Sequence, residues 1–353
     1  MREAPSISVL VPVWNAAADG GGRLRAAFAS LFAQTGAPLA PLPPLEILAV
    51  DDGSDDGTPA ILRELARQDE RLRLIRIPHG GIVPALNAGL EAARGGLIAR
   101  MDADDIAHPQ RLARQAAHLE RQPDLDVSAC RVRFGGDPRT AWGFAHYVAW
   151  QNSLCRHEEM ARDRFRDTPL CHPSVMFRRN AVERFGGYAD GDFAEDWELW
   201  LRWFHAGARM EKLPEELLVW NDPPGRLTRT DARYADAAND TLRARWLARH
   251  LRRAGRTRVW VLGAGRVARR RLAPLWAEGI EPAAFIDIDP RKIGQHVPLS
   301  PGDPRRVPVL SRQALPPPGT GLLLNALTAH GAAEEAAAWL ADAGYAREDW
   351  LLI

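Results

Sequence analysis

Apolar residues in the first hundred positions fall into two alternating kinds of block. ISVLVPVW (7–14), EILAV (46–50), RLRLIRI (71–77) and GLIARM (96–101) are short runs that read as buried strands. RLRAAFASLFAQ, TPAILRELARQ and IVPALNAGLEAAR lie between them with apolar positions at helical spacing. Strands alternating with helices predict βαβ units and a mostly parallel sheet flanked by helices. Ligands of such sheets bind beyond the carboxyl ends of the strands. Asp51 and Asp52 end the second strand, and Asp102 and Asp104 follow the fourth, so both acidic clusters are expected at one crevice.

From about residue 124 the alternation weakens. CHPSVMFRR (171–179) reads as a strand and AEDWELWLRWFHAG (194–207) as a helix. In that helix Trp197, Trp200, Leu201 and Phe204 form one apolar stripe suited to core packing. Glu195 and Asp196 fall in its first turn, where the helix dipole favours acids. Residues 229–255 read as a basic helical linker, with an anionic membrane surface as its alternative role. RVWVLGAGRVARRRLAPLWAEGIEPAAFIDID (258–289) then starts a fresh strand–turn–helix–strand pattern. Gly263, Gly265 and Asp287 sit where a dinucleotide-binding fingerprint places its turn glycines and its ribose acid. A nucleotide or NAD is the ligand such a turn would take. The expected organisation is therefore an α/β domain over 1–228, a linker over 229–255 and a smaller Rossmann-like domain over 256–353.

Composition changes this picture little. The 353 residues are 46% hydrophobic and 26% charged with a net charge of +1, an ordinary globular balance that gives no reason to expect nucleic acid. Of 46 basic residues only Lys212 and Lys292 are lysine, so arginine clusters are discounted as signals. Cys130, Cys155 and Cys171 are too few for a disulfide framework. With no signal-peptide pattern at the start and no apolar run long enough to span a bilayer, the expected location is the cytoplasm or the inner membrane surface.

The chemistry begins with IARMDADDIAHP (98–109), where three acids crowd together after a strand. If strand geometry persists, Asp102 and Asp104 project together while Asp105 points away and caps the next helix. Paired carboxylates at a strand end suit Mg²⁺ or Mn²⁺. An EF-hand starting at Asp51 fails because its twelfth position is Leu62. An aspartyl phosphatase would need a helper lysine, and neither Lys212 nor Lys292 stands in a suitable context. Cys155, His157, Cys171 and His172 match no compact zinc spacing.

SVLVPVWNA, ILAVDDGSDDGT, ALNAGLEAARGGLIARMDADD, HPSVMFRR and AEDWELWLR occur in this order, and the chain from residue 6 to about 228 resembles the family-2 glycosyltransferases of the GT-A fold. The resemblance implies an inverting enzyme whose nucleotide pocket is lined by Pro12, Val13, Trp14 and Asn15, with Asp51 and Asp52 at the base and ribose. It places Asn87 and Arg100 on the donor side, a metal at Asp102 and Asp104, and His172 near the donor–acceptor junction. Glu195 and Asp196 become the E-D motif, with Asp196 the expected base. Arg226, in WNDPPGRLTR, becomes a phosphate contact. The implied partners are a nucleotide-sugar donor, UDP-linked by preference, and a glycan, lipid-linked or other hydroxyl acceptor of cell-surface polysaccharide synthesis. Nothing after residue 228 resembles the membrane helices of processive members. The competing class is a Rossmann-type redox or sensing protein with an N-terminal partner-binding domain; the E-D motif favours the transferase.

Overall fold

The computed structural model describes residues 7–223, 225–328 and 331–353. The first six residues, Pro224 of the WNDPPGRLTR stretch, and residues 329–330 lie outside this description. Two compact units emerge. One holds the chain up to Met160 with Thr168–Gly191 and Glu195–Thr230; the other holds Ala161–Asp167, Asp192–Ala194 and Asp231–Ile353.

The strands are β1 Ile7–Val13, β2 Leu45–Asp52, β3 Leu72–Ile77, β4 Leu97–Arg100, β5 Ile106–Ala107, β6 Val127–Phe134, β7 Met176–Arg178 and β8 Met210–Trp220 in the first unit. The second has β9 Arg258–Leu262, β10 Glu281–Ile286, β11 His296–Pro298, β12 Arg306–Leu310, β13 Leu322–Asn325 and β14 Trp350–Leu352. The helices are α1 Gly22–Phe32, α2 Thr58–Gln68, α3 Ile82–Ala92, α4 Arg111–Arg121, α5 Trp142–Ser153, α6 His157–Asp163, α7 Arg179–Phe185, α8 Glu195–Ala206, α9 Leu227–Thr230, α10 Asp236–Arg253, α11 Arg266–Ala277 and α12 Ala332–Asp342.

The first sheet runs β3-β2-β1-β4-β7-β6-β8-β5. β1, β2, β3 and β4 are mutually parallel, as are β6 and β8, while β7 runs against both β4 and β6. β1, β4 and most of β2 are covered on both faces and read as near-continuous apolar runs, whereas β3 and β8 alternate more buried with more exposed positions. Ile7, Val9 and Val11 of β1 pack with Phe28 of α1, Leu65 of α2 and Leu112 of α4. Leu10, between them in sequence, faces the other layer with Leu86 of α3 and Trp200 and Trp203 of α8. Trp200 and Trp203 are the fully buried rings of that helix, while Phe204 packs against the same core only partly buried. The CHPSVMFRR segment is a strand only over Met176–Arg178; His172–Ser174 form a 3₁₀ turn with a proline in it. Among the described residues no helix is long and apolar enough to cross a membrane.

In the second unit the order β11-β12-β10-β9-β13-β14 is parallel except for β11. The basic segment forms α10, and its Leu242, Trp246, Leu247 and Leu251 are buried, with α11 as its main neighbour. That apolar face is therefore committed to protein.

Candidate active site

The carboxyl ends of β2, β1 and β4 lie side by side, because β1 pairs in parallel with both. At the end of β2, Asp51 and Asp52 are buried. Asp51 Oδ1 accepts from Ser54 N at 3.0 Å. Asp52 accepts from the backbone N–H of Gly80 at 2.9 Å and Gly81 at 2.8 Å, and its Oδ2 lies 2.9 Å from His79 Nδ1. The Asp52 carboxylate thus anchors the 79–81 loop, and the His79 ring stacks on Trp14 at 4.7 Å and 13°. Asn15 follows with a φ of 44°, its side chain paired reciprocally with Asp55.

β4 stops at Arg100, and the chain then turns: Asp105 N donates to Asp102 O at 3.3 Å. The turn corrects the expectation for Asp105. It neither points away nor caps a helix; α4 is preceded by Gln110, and Asp105 is fully buried. Carboxylate oxygens of Asp102, Asp104 and Asp105 all lie within 4.8 Å of one another. Burial, reinforced by Asp102, pushes the Asp104 carboxyl up to about 6. Burial and both neighbours raise Asp105 well above the carboxylate range. Asp105 Oδ1 accepts from Asn221 N at 2.8 Å, but Oδ2 is buried with no hydrogen-bond partner. Crowded hard oxygens, one of them buried and unsatisfied, are what a divalent cation would complete, so these residues fit the metal the motif implies.

Cationic groups surround the cluster. The buried Arg100 guanidinium is 2.6 Å from Asp102, which holds it charged against the cost of burial. Arg111, also buried, donates to Arg100 O at 2.7 Å. Arg226 lies 4.4 Å over the rings of both Phe144 and Trp220, pairs with Asp222 at 3.4 Å, and its charge partly offsets the rise of the Asp104 carboxyl.

The E-D motif reaches the same region through Tyr188. Asn87 grips Tyr188 by its backbone, at 2.9 Å to the carbonyl and 3.1 Å from the N–H. The Tyr188 hydroxyl is 2.7 Å from His172 Nε2, and His172 Nδ1 is 4.0 Å from Glu195 Oε1. Burial and then the Arg100 charge hold His172 far below its usual range, so the imidazole is neutral. With a carboxylate facing Nδ1, the Nδ1–H tautomer is favoured and the phenol donates to Nε2. Burial, with the charges of Glu195, Asp196 and Asp102, raises the Tyr188 hydroxyl, so one phenol senses both acidic motifs. Asp196 is partly exposed at the start of α8 and its Oδ1 accepts from Trp197 N at 2.7 Å.

His79, Asp105, Arg111, Tyr188 and Asn221 are members that sequence reasoning missed. The GGY triplet at 186–188 was the available signal for Tyr188; Arg111 was hidden by the abundance of arginine.

In the second unit Gly263 turns at a φ of 101° beside Asp287. Asp287 Oδ2 accepts from Ala264 N at 3.1 Å and Lys292 Nζ at 2.9 Å, and Oδ1 from Ile288 N at 2.9 Å and Asp289 N at 3.0 Å. Four donors occupy the carboxylate's acceptor sites. In this structure the acid is thus used to order its own turn. Gly265 precedes α11 without a side-chain cap.

The profile of glycosyl transferase family 2 matches residues 8–186, more than half of the chain. The chain belongs to this family. The transferase is 29% identical over 259 residues to the uncharacterized glycosyltransferase EpsJ of Bacillus subtilis, covering 69% of each chain. It is 31% identical over 138 residues to the amylovoran biosynthesis glycosyltransferase AmsE of Erwinia amylovora, covering 39% of the transferase and 49% of AmsE. Among solved structures it is similar in fold to the mannosyltransferase PcManGT of Pyrobaculum calidifontis, a complex with GDP-Man and Mn²⁺. That likeness has a TM-score of 0.50 and 22% identity, over 78% of the transferase and 69% of its neighbour.

Proposed function

We propose that the transferase moves a sugar, with inversion, from a nucleotide-diphosphate sugar, UDP-linked by preference, to a hydroxyl of a glycan or lipid-linked acceptor in polysaccharide biosynthesis. The observation that carries the reading is the three-carboxylate cluster with its unsatisfied buried oxygen, in a chain of this family. AmsE is named for amylovoran biosynthesis, which supports the polysaccharide assignment. PcManGT holds a nucleotide sugar with Mn²⁺, which supports the donor class and a divalent cation.

Mn²⁺ or Mg²⁺ held by Asp102, Asp104 and Asp105 would supply charge neutralisation for the donor diphosphate. Arg100 and Arg226 add fixed positive charge on the same side, where a leaving diphosphate gains charge. The Pro12–Asn15 segment and Asp51 bound the base and ribose pocket. Asp52 and Asn87 act indirectly, by fixing the His79 loop and Tyr188. Asp196 takes the proton from the acceptor hydroxyl as its oxygen attacks the anomeric carbon. Glu195, steadied by His172, holds the first turn of α8 that presents Asp196. Attack from the face opposite the leaving group needs no covalent intermediate. Exposed Arg245, Arg249 and Arg252 of α10 would bring the enzyme to an anionic membrane bearing a lipid-linked acceptor.

Asp104→Asn tests the reading. Calorimetric titration of UDP in the presence of Mn²⁺ should show at least tenfold weaker binding in the variant, with both proteins equally folded. Equal affinity, or UDP binding indifferent to Mn²⁺ in the unaltered enzyme, would contradict it.

A further inference from the structure

Arg100 is the last residue of β4, and its backbone is tied from three sides. It lies opposite Leu10 of β1, its N–H donates to Val175 O at 3.0 Å, and its carbonyl accepts from Arg111 Nη2 at 2.7 Å. Met101 N still donates to Leu10 O at 3.1 Å, so the acid turn starts from an anchored strand end. The Arg100 side chain is only 4% exposed, and burying a guanidinium is costly unless an anion is paired with it. That anion is Asp102, whose Oδ1 lies 2.6 Å from Arg100 Nη1. The contact is one of charge rather than a directed hydrogen bond, since Arg100 Nη1 and Nε are both buried and neither makes one. Asp105 also acts on the guanidinium by its charge, and its Oδ2 is likewise buried without a partner. One anchored cation thus adjoins three crowded carboxylates whose hydrogen-bonding capacity is partly unused.

An arginine kept for stability typically meets its carboxylate through two parallel N–H···O bonds, and this one does not. Asp102 also keeps 31% of its side chain exposed, so the carboxylate nearest Arg100 is one that an ion from solvent reaches. We propose that Arg100 is a built-in counter-ion that acts through Asp102 to hold the cluster's affinity for a lone divalent cation low, reserving positive charge for the nucleotide diphosphate. A fixed unit charge beside Asp102 takes up part of the carboxylate's field and repels an incoming cation. The same charge attracts a diphosphate, so Arg100 opposes one ligand and favours the other. This inference rests on the reading that the cluster holds a divalent cation beside a nucleotide-sugar donor.

The test needs neither acceptor nor turnover. Mn²⁺ binding to the full chain is followed by the electron paramagnetic resonance of the free ion, and UDP binding at saturating Mn²⁺ by calorimetry. Arg100→Gln should bind Mn²⁺ alone about tenfold or more tightly, a small part of what Coulomb's law allows for charges at this range, and should bind UDP about threefold or more weakly. Shifts of opposite sign are the signature, because mere damage to the crevice would weaken both. Arg100→Lys, which keeps the charge, should hold Mn²⁺ within about threefold of the unaltered chain. Thermal unfolding checks each variant. If Arg100→Gln does not fold, Arg100→Met removes the charge without leaving a polar group in the core and carries the same expectation. The proposal is overturned if loss of the charge leaves Mn²⁺ affinity unchanged or weaker, if UDP affinity does not fall, or if Arg100→Lys binds Mn²⁺ as tightly as the neutral variant. An unaltered chain that does not bind UDP at all would sink the donor reading, while tighter Mn²⁺ binding by the neutral variant would leave the counter-ion standing.

Discussion

Asp196 is the residue on which the proposed chemistry turns, and its position invites a rival account. An acid in the first turn of α8 also interacts favourably with the helix dipole. Asparagine separates catalysis from local structure, because it is nearly isosteric and keeps the oxygen that accepts from Trp197 N, losing only the small charge–dipole gain, but cannot take a proton. Asp196→Asn should leave nucleotide and Mn²⁺ binding intact and lower transfer by ~10²–10⁴, the usual contribution of a positioned base. Steady-state rates with a working donor–acceptor pair decide it; near-normal turnover would remove Asp196 from the mechanism. The acids of both motifs were legible as single residues, because clustered carboxylates after an apolar run have few structural uses. Asp105 was misread because strand alternation was carried past Arg100, where the chain already turns. Tyr188 and Asn221 were invisible because their roles depend on contacts between segments far apart in sequence, at |i−j| of 101 from Asn87 and 116 from Asp105.

Among the elements, β1 to β4 and α1 to α3 were legible because each buries a complete face and keeps one period. α5 gave no such signal: it is aromatic on several sides. β8 was equally opaque, since its charged residues alternate with a half-covered face. The turn after β2 depends on Gly53, whose φ is 69° and whose Cβ would come 2.6 Å from His79 N. Gly53→Ala should therefore cost about 2 kcal/mol or more in denaturant unfolding, combining left-handed strain with a steric shift of the His79 loop; a loss below about 0.5 kcal/mol would show that the loop yields freely. β8 also carries Lys212 into the core, where its ammonium donates to the carbonyls of Gln151 and, at 3.2 Å, Pro169. Burial lowers its pKa to about 8. Between about pH 8 and 10 the unfolded chain keeps a proton that the folded chain has released, so this group makes stability rise with pH across that window. Below about pH 8 both states hold the proton and the fold carries the whole cost of the buried charge, at most about 3 kcal/mol. Lys212→Met should flatten that rise in urea unfolding measured from pH 7 to 10, and parallel curves for the two proteins would refute the assignment.

Across the molecule, a sheet whose central strands are covered on both faces leaves its carboxyl edge as the place where polar side chains collect, and the residues proposed to hold the donor and the acid cluster come to that edge. The second unit repeats the βαβ pattern but spends its fingerprint acid on internal contacts, so the sequence pattern was legible while its chemistry was not. The central claim is metal-dependent transfer from a nucleotide sugar. The most direct measurement incubates the whole chain with UDP- and GDP-sugars, each with Mn²⁺ or with a chelator, and follows release of the nucleotide diphosphate. The account predicts release from at least one donor, strongest with a UDP-sugar, and its loss on chelation. Release that is indifferent to the chelator, or none from any donor, would contradict it.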